Sequence, residues 1–171
     1  MKRLLLAAAL SLFAASSVAA QTVVIVRHAE KVDSSADPLL SEAGQARARA
    51  LAAELADAHP SVILTSPLQR TILTAAPTAE YHSVPSEAVS LEGGGGAHIA
   101  AIVARVRAAP EDATVLIVGH SNTVPAIARA LGYAEAADMP ECEYDRMTVL
   151  HLMGDAAHGV VRRYGAPTTC G

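Results

Sequence analysis

Three short apolar runs recur along this chain, and each of them ends at a group of polar side chains. They span residues 22–26, 61–65 and 114–118. Continuous apolar runs of this length, rich in valine and isoleucine, are typical of strands buried on both faces of a parallel sheet. Because segments with helical spacing lie between the runs, the pattern indicates alternating strands and helices in one α/β domain.

The helices and the remaining strands are predicted from caps, prolines and turn residues. The spacing predicts helices over 42–57, from Pro67 towards Pro77, over 97–108 and over 122–131, and further strands over 146–152 and 159–164. Ser41 and Ser66 are expected to cap the first two helices, and Pro77 to end or kink the second. The turn residues Gly154 and Asp155 make the last two strands an antiparallel pair. The predicted fold class is α/β: a single-domain three-layer α/β sandwich with a mostly parallel central sheet and a C-terminal antiparallel strand pair.

The first 20 residues have the layout of a secretory signal peptide. Lys2 and Arg3 precede an apolar, alanine-rich stretch over 4–18, and the small residues Ala19 and Ala20 suit a cleavage site. The stretch is shorter than membrane-spanning helices usually are, although an uncleaved anchor is the alternative. We therefore expect residues 1–20 to be removed, residues 21–171 to form the domain, and the protein to be periplasmic or secreted.

The charge and the aromatic content of the domain argue against several kinds of partner. Without Lys2 and Arg3, 11 basic and 17 acidic side chains remain, a net charge of −6 at pH 7. An acidic surface is a poor partner for nucleic acid and for anionic membranes. The domain has no tryptophan, and the only phenylalanine, Phe13, lies in the signal peptide, so platforms for stacking bases are missing. We expect no nucleic-acid partner and no membrane insertion after signal cleavage; the oligomeric state is left open.

Both cysteines, Cys142 and Cys170, lie in the predicted domain. In an oxidising compartment they are expected to form a disulfide that ties the C-terminal tail to the loop before the last strand pair. Two free thiols are the alternative, because spacing alone does not fix the geometry of a disulfide.

The polar residues that follow the three runs in sequence are expected to meet at one edge of the sheet. Arg27 and His28 follow the first run, Arg70 stands shortly after the second, and His120 follows the third. In open α/β sheets, ligands bind outside the carboxyl ends of the strands. A neutral imidazole can attack phosphorus, and arginines can hold phosphoryl oxygens through paired hydrogen bonds while they lower the pKa of the imidazole. Two histidines and two arginines at this edge therefore suit a phosphoryl group.

Four segments resemble, in matching order, those of the histidine phosphatase superfamily, which includes the phosphoglycerate mutases. They are Arg27-His28, the stretch with Leu39, Ser41 and Gly44, the segment from Ser66 to Thr71, and Gly119-His120-Ser121. The resemblance implies that His28 is the nucleophile, that Arg27 and Arg70 bind phosphate, and that His120 is a second donor to the transferring group. Ser121 or Asn122 is expected to add a phosphate contact, because their backbone N–H groups begin a helix. The chain departs from the family at Ala29, where glycine is usual.

The resemblance also leads us to expect a carboxyl group that protonates the leaving group. Glu92, just before the glycines at 93–96, matches the position at which many members carry a glutamate. Glu30, close to His28 in the chain, and Asp145, from the C-terminal part, are the alternatives. We assign Glu92 this catalytic role.

The predicted function is hydrolysis of a small phosphomonoester through a covalent phosphohistidine on His28, without a metal or another cofactor. One alternative is a module of the same fold that binds phosphate esters without turnover. The other is a metal-dependent hydrolase using His28 and His120, which is disfavoured because arginines adjoin the histidines and no metal-binding spacing is present. His59, His82, His98, His151 and His158 are interpreted as surface or structural residues, and Arg47 and Arg49 as a solvated helix face.

Overall fold

The computed structural model describes residues 20–170, so nearly all of the predicted signal peptide lies outside the described residues. The strands are β1 (Gln21–Arg27), β2 (Val62–Thr65), β3 (Ser86–Ala88), β4 (Thr114–Gly119), β5 (Arg146–Met153) and β6 (Ala156–Arg163). They form one sheet in the order β3-β2-β4-β1-β5-β6. The pairings among β1, β2, β3 and β4 are all parallel. Strand β5 pairs antiparallel with both β1 and β6.

Helices cover both faces of this sheet. They are α1 (Glu42–Glu54), α2 (Gln69–His82), α3 (Gly94–Ala108) and α4 (Thr123–Ala130). Alternate residues of β1 point to opposite faces: Val23 and Ile25 belong to the core under α3 and α4, whereas Val24 and Val26 belong to the core under α1 and α2. Burial on both faces explains why the run is apolar throughout. The predicted three-layer α/β sandwich with its antiparallel strand pair is confirmed.

Helix α1 begins as predicted. The Oγ atom of Ser41 accepts a hydrogen bond from the backbone N–H of Gly44 at 3.1 Å, which satisfies one of the free donors of the first turn. A Cβ at Gly44 would lie 2.2 Å from the carbonyl oxygen of Glu30, so only glycine lets the helix approach this backbone. The helix ends at Glu54, three residues before the predicted end.

Helix α2 corrects two predictions. It begins at Gln69 with Leu68 as its N-cap residue, and Ser66 is not its cap, because the hydroxyl of Ser66 lies deeper, beside Thr71 and His120. Of the two effects predicted for Pro77, only the end of the helix is wrong, because the helix continues to His82. The helix buries Ala75 and other small side chains against the core, and this packing outweighs the backbone hydrogen bond that a proline removes.

The segment between α2 and α3 is more regular than its sequence indicates. It contains β3, which pairs with β2 and was not predicted. Helix α3 begins within the glycine run, three residues before the predicted start at residue 97. Gly93 and Gly94 both have a positive φ, which glycine adopts without strain. No helix in the described range 20–170 has the length and apolar character needed to cross a bilayer.

Arg47 is buried, and its assignment to a solvated helix face is therefore wrong. Its side chain is 3% exposed and pairs with the carboxylate of Glu30, with Nη2 and Oε1 2.7 Å apart. Its guanidinium also donates to the backbone carbonyl oxygens of Tyr164 and Ala166, both at 3.0 Å. Arg49, two residues further along α1, is exposed as predicted.

Cys142 and Cys170 form a disulfide, as the first of the two alternatives predicted. It joins the loop before β5 to the C-terminal tail across 28 positions of sequence.

Loss of this disulfide should destabilise the protein. Because the bond closes a loop that the unfolded chain would otherwise leave free, Cys142→Ser with Cys170→Ser should lower the free energy of unfolding by about 3 kcal/mol. Urea unfolding followed by circular dichroism measures this change. Reduction of the wild-type protein should lower stability as much as the double substitution does, and unchanged midpoints in both cases would contradict the prediction.

Candidate active site

The carboxyl ends of β1, β2 and β4 bring the predicted residues together. In the ladder between β1 and β4, Arg27 lies opposite Gly119, and the N–H of His28 donates to the carbonyl of Gly119 at 2.9 Å. His120 follows directly, so the two catalytic candidates leave neighbouring strands at the same level. Their ring centroids are 5.4 Å apart. Three segments that are distant in sequence thus converge on one edge of the sheet, as predicted.

His28 is held in one tautomer. Its Nδ1 atom lies 2.8 Å from the carbonyl oxygen of Ala29, and because a carbonyl only accepts, Nδ1 carries the proton. Nε2 therefore keeps its lone pair. Burial lowers the pKa of His28 to about 4, helped by the charges of Arg27 and Arg70 and opposed by the Ala29 carbonyl. At neutral pH the ring is uncharged and ready to act as a nucleophile.

His120 is bound to the turn that follows β2. Its Nε2 atom lies 3.1 Å from Oγ of Ser66, and Ser66 is in turn 2.9 Å from Oγ1 of Thr71. Burial lowers the pKa of His120 to about 3, with further contributions from nearby His28 and Arg70. The Ser66–Thr71 part of the motif thus orients the second histidine.

Both rings should therefore remain uncharged far below the usual histidine pKa. In a titration followed by nitrogen NMR, the His28 and His120 signals should not shift between pH 8 and pH 5. Signals are assigned with His28→Gln and His120→Gln. The unfolded chain binds protons on these rings below about pH 6.5 and the folded protein does not, so the free energy of unfolding should decrease from pH 6.5 towards pH 4. A midpoint near 6.5 for either ring would contradict this prediction.

Arg27 is fixed by the loop over residues 140–144. Its side chain is only 3% exposed, and its Nη1 atom donates to the carbonyl oxygen of Glu141 at 2.6 Å. The guanidinium also lies over the ring of Tyr144, 4.2 Å from its centroid. Because Cys142 belongs to the same loop, the disulfide anchors the residues that hold Arg27.

The two arginines present unused donors. In the part of the chain that the structure describes, the Nε atoms of Arg27 and Arg70 are buried and have no hydrogen-bond partner. Arg70 is otherwise bound only through Nη1, which donates to the carbonyl of Ala36 at 3.3 Å. Buried donors without a partner are costly, and an anion placed between them would remove the cost. Both arginines also lie close enough to His28 to lower its pKa.

Ser121 contacts a residue that sequence reasoning missed. Its hydroxyl donates to Oε1 of Glu141, while Oε2 of the same carboxylate lies 2.8 Å from Nη2 of Arg27. No motif marks Glu141 in the sequence. The only signal is its place beside Cys142, in the loop that the disulfide anchors.

The carboxylates considered from sequence lie in other surroundings. Glu30 is paired with Arg47, and Asp145 accepts hydrogen bonds from Arg163 and Thr168, so both carboxylates have structural partners. Glu92 is exposed, and its carboxylate makes no hydrogen bond or ion pair with any described residue. The catalytic role of Glu92 therefore stays a prediction.

The structure also shows the surroundings of Ala29 and His98. The methyl group of Ala29 is buried with Leu40 and Ala48, and its N–H donates to Oγ1 of Thr74 at 2.9 Å, so alanine is accommodated where the family usually has glycine. His98 is fully buried, with Nδ1 3.1 Å from the carbonyl of Ser90, in keeping with a structural role.

The site does not have the composition of a metal centre. Among residues 20–170, no cluster of three or more histidine, cysteine, aspartate or glutamate side chains could hold a metal ion. The positive charges of Arg27 and Arg70 beside both histidines would also repel a cation.

Comparison with known proteins supports a family assignment. The profile of the histidine phosphatase superfamily (branch 1) matches residues 23–90, which include His28 and Arg70. Phosphoserine phosphatase 1 of Hydrogenobacter thermophilus is 45% identical over 65 residues, or 34% of this chain. That match spans 31% of the length of the phosphoserine phosphatase, about a third.

Solved structures with the same fold extend the similarity over most of the chain. The SixA protein of Nakamurella multipartitia, assigned as a phosphohistidine phosphatase, is 27% identical and covers 86% of this chain and 96% of its own, with a TM-score of 0.58. The protein histidine phosphatase SixA in complex with tungstate is 19% identical, with a TM-score of 0.62, and covers 84% of this chain and 95% of its own. A mycobacterial glucosyl-3-phosphoglycerate phosphatase is 19% identical, with a TM-score of 0.60, and covers 85% and 99% of the two chains. The family model over residues 23–90 and the likeness of the fold to these solved phosphatases together support the assignment of this chain to the histidine phosphatase superfamily.

Proposed function

We propose that the protein hydrolyses small phosphomonoesters, without a metal ion, through a covalent phosphohistidine on His28. One observation carries this proposal: His28 is a neutral imidazole with a free lone pair on Nε2, beside two arginines whose buried Nε donors have no partner. A nucleophile and an anion-binding pair are thus combined at one place. The four relatives described above are named as phosphatases, which supports the same chemistry.

The geometry indicates which role each residue would take in the two steps of the reaction. In the first step, Nε2 of His28 attacks phosphorus, the P–O ester bond breaks, and the leaving oxygen takes the electron pair. Arg27, Arg70 and His120 stabilise the charge on the three equatorial oxygens. In the second step, water attacks phosphorus, and the electron pair of the P–N bond returns to Nε2.

The substrate is proposed as a small phosphorylated molecule, and the location as periplasmic or secreted. The acidic domain, with Lys31 as its only lysine, favours a monoester over a molecule with many phosphates. The signal-peptide pattern of residues 1–20 supports export, and a disulfide in the domain suits an oxidising compartment.

Turnover and trapping test the proposal together. The protein of residues 21–171 should hydrolyse p-nitrophenyl phosphate in excess chelator, and acid-labile, alkali-stable phosphate should be recovered on the protein after rapid quenching. Loss of activity with chelator would show a metal-dependent hydrolase instead. Binding of phosphate esters without turnover would show a binding module.

A further inference from the structure

The proposed reaction needs a group that protonates the leaving oxygen. The sequence offers three carboxylates for this role, and the structure adds a fourth. We propose that Glu141 is the acid–base residue: it protonates the leaving oxygen in the first step and takes a proton from the attacking water in the second. This inference rests on the proposed function and assigns a further catalytic residue to the same site.

The contacts of Glu141 place its carboxylate among the groups that would receive the phosphoryl. Oε2 lies 2.8 Å from Nη2 of Arg27, and Oε1 accepts a hydrogen bond from Ser121, the residue after His120. Its charge also lies within electrostatic range of His28. A phosphoryl group held by Arg27 would therefore lie next to this carboxylate.

The exposure of Glu141 suits a group that exchanges protons with substrate and water. Its side chain is 82% exposed, whereas that of Arg27, to which it is bound, is 3% exposed. The carboxylate thus stands on the solvent side of Arg27, where it can exchange protons with a leaving oxygen and with water. The backbone of Glu141 is nevertheless fixed, because its carbonyl accepts from Arg27 and its neighbour Cys142 is in the disulfide.

The charge of the free site is compatible with this role. The hydrogen bond from Ser121 and the positive charge of Arg27 hold the pKa of Glu141 below its ordinary value, so the free protein carries a carboxylate here. A substrate that binds as the monoanion brings one proton. When its phosphoryl oxygens take over Arg27 and Ser121, that proton can move to Glu141, and no external acid is needed.

One proton then passes through Glu141 in each of the two steps. The protonated carboxyl gives its proton to the ester oxygen as the P–O bond breaks, and an alcohol leaves. The resulting carboxylate accepts a proton from water as the new O–P bond forms and the P–N bond to His28 breaks. Phosphate takes this proton from Glu141 and departs as the monoanion, so the carboxylate of Glu141 and the lone pair of His28 are both restored.

A residue that protonates the leaving oxygen matters most when the leaving group is poor. We therefore compare the effect of one substitution on two aryl phosphates of similar size. Phenol is a poorer leaving group than p-nitrophenol and depends more on protonation. Glu141→Gln should lower kcat/KM for phenyl phosphate by about 100-fold but for p-nitrophenyl phosphate by less than about 10-fold. With p-nitrophenyl phosphate the variant should also release one equivalent of nitrophenolate in a burst and accumulate phosphohistidine, because the second step lacks its base.

Control variants separate this role from others. Glu135→Gln changes an exposed glutamate on the same connection between α4 and β5 and should leave both substrates unaffected. An equal loss for both substrates without a burst would overturn the proposal, since Glu141 would then only hold Arg27. A gain for both substrates with tighter inhibition by inorganic phosphate would overturn it as well, because Glu141 would merely occupy the phosphate position.

Two further outcomes keep the inference distinct from the proposed function. If Glu92→Gln rather than Glu141→Gln shows the leaving-group dependence, the acid is Glu92 and the inference fails while the phosphohistidine mechanism stands. If the wild-type protein shows no turnover that depends on His28, the proposed function itself fails.

Discussion

Replacement of His28 by alanine should abolish turnover of p-nitrophenyl phosphate. The proposed nucleophile, the Nε2 atom, is lost, and the rate is expected to fall on the order of 10⁴-fold or more, as it does when other covalent hydrolases lose their nucleophile. The variant should also retain no phosphate after acid-free quenching of the reaction. Steady-state kinetics and the phosphoenzyme assay measure the two effects.

The control for this experiment is a histidine far from the site. His158 lies exposed on β6, so His158→Ala should leave kcat/KM unchanged. Inorganic phosphate should still bind to the His28→Ala variant, because Arg27 and Arg70 remain in place. Retention of phosphoenzyme in this variant would place the covalent intermediate on another residue and contradict the assignment of His28.

Replacement of Arg47 by alanine should cause a large loss of stability. Its guanidinium pairs with Glu30, whose side chain is 22% exposed, and donates to two backbone carbonyls next to the C-terminal tail. Removing one member of a buried ion pair leaves the other charge without a partner, and we expect the free energy of unfolding to fall by roughly 3–5 kcal/mol. Urea unfolding at neutral pH measures the change.

Arg49 supplies the matched control for Arg47. It lies two residues further along α1 but is exposed, so Arg49→Ala should change the free energy of unfolding by less than about 0.5 kcal/mol. Removal of both charges together, in Glu30→Gln with Arg47→Met, should lower the free energy of unfolding less than Arg47→Ala alone. Equal stabilities of the Arg47→Ala and Arg49→Ala variants would show that the buried pair contributes nothing.

Features with a local signature could be predicted from the sequence. The strand that ends at Arg27 shows its burial directly, because every one of its residues from 23 to 26 is apolar. The position of His28 follows from the end of that strand. His120 is predicted in the same way, so the sequence alone leads to the edge of the sheet at which the two histidines meet.

Features that depend on distant partners could not be predicted in this way. The pattern on α1 marks Arg47 only as polar, and its burial depends on Glu30 and on the chain near residue 165, which come together only in the fold. Pro77 is tolerated because α2 packs along its length. Glu141 belongs to a loop without periodicity, and only the tertiary position of Arg27 shows that its carboxylate lies at the site.

The disulfide has a consequence for the order in which the site can form during synthesis. Arg27 stands near the beginning of the described chain, whereas the loop that holds it is anchored by Cys170 near the end. Thr168 reinforces this anchor through a hydrogen bond to Asp145 at 2.6 Å. A nascent or C-terminally shortened chain can therefore carry both His28 and His120 while Arg27 still lacks its anchored support. The loop that holds Arg27 gains this covalent anchor only after Cys170 has been synthesised and oxidised.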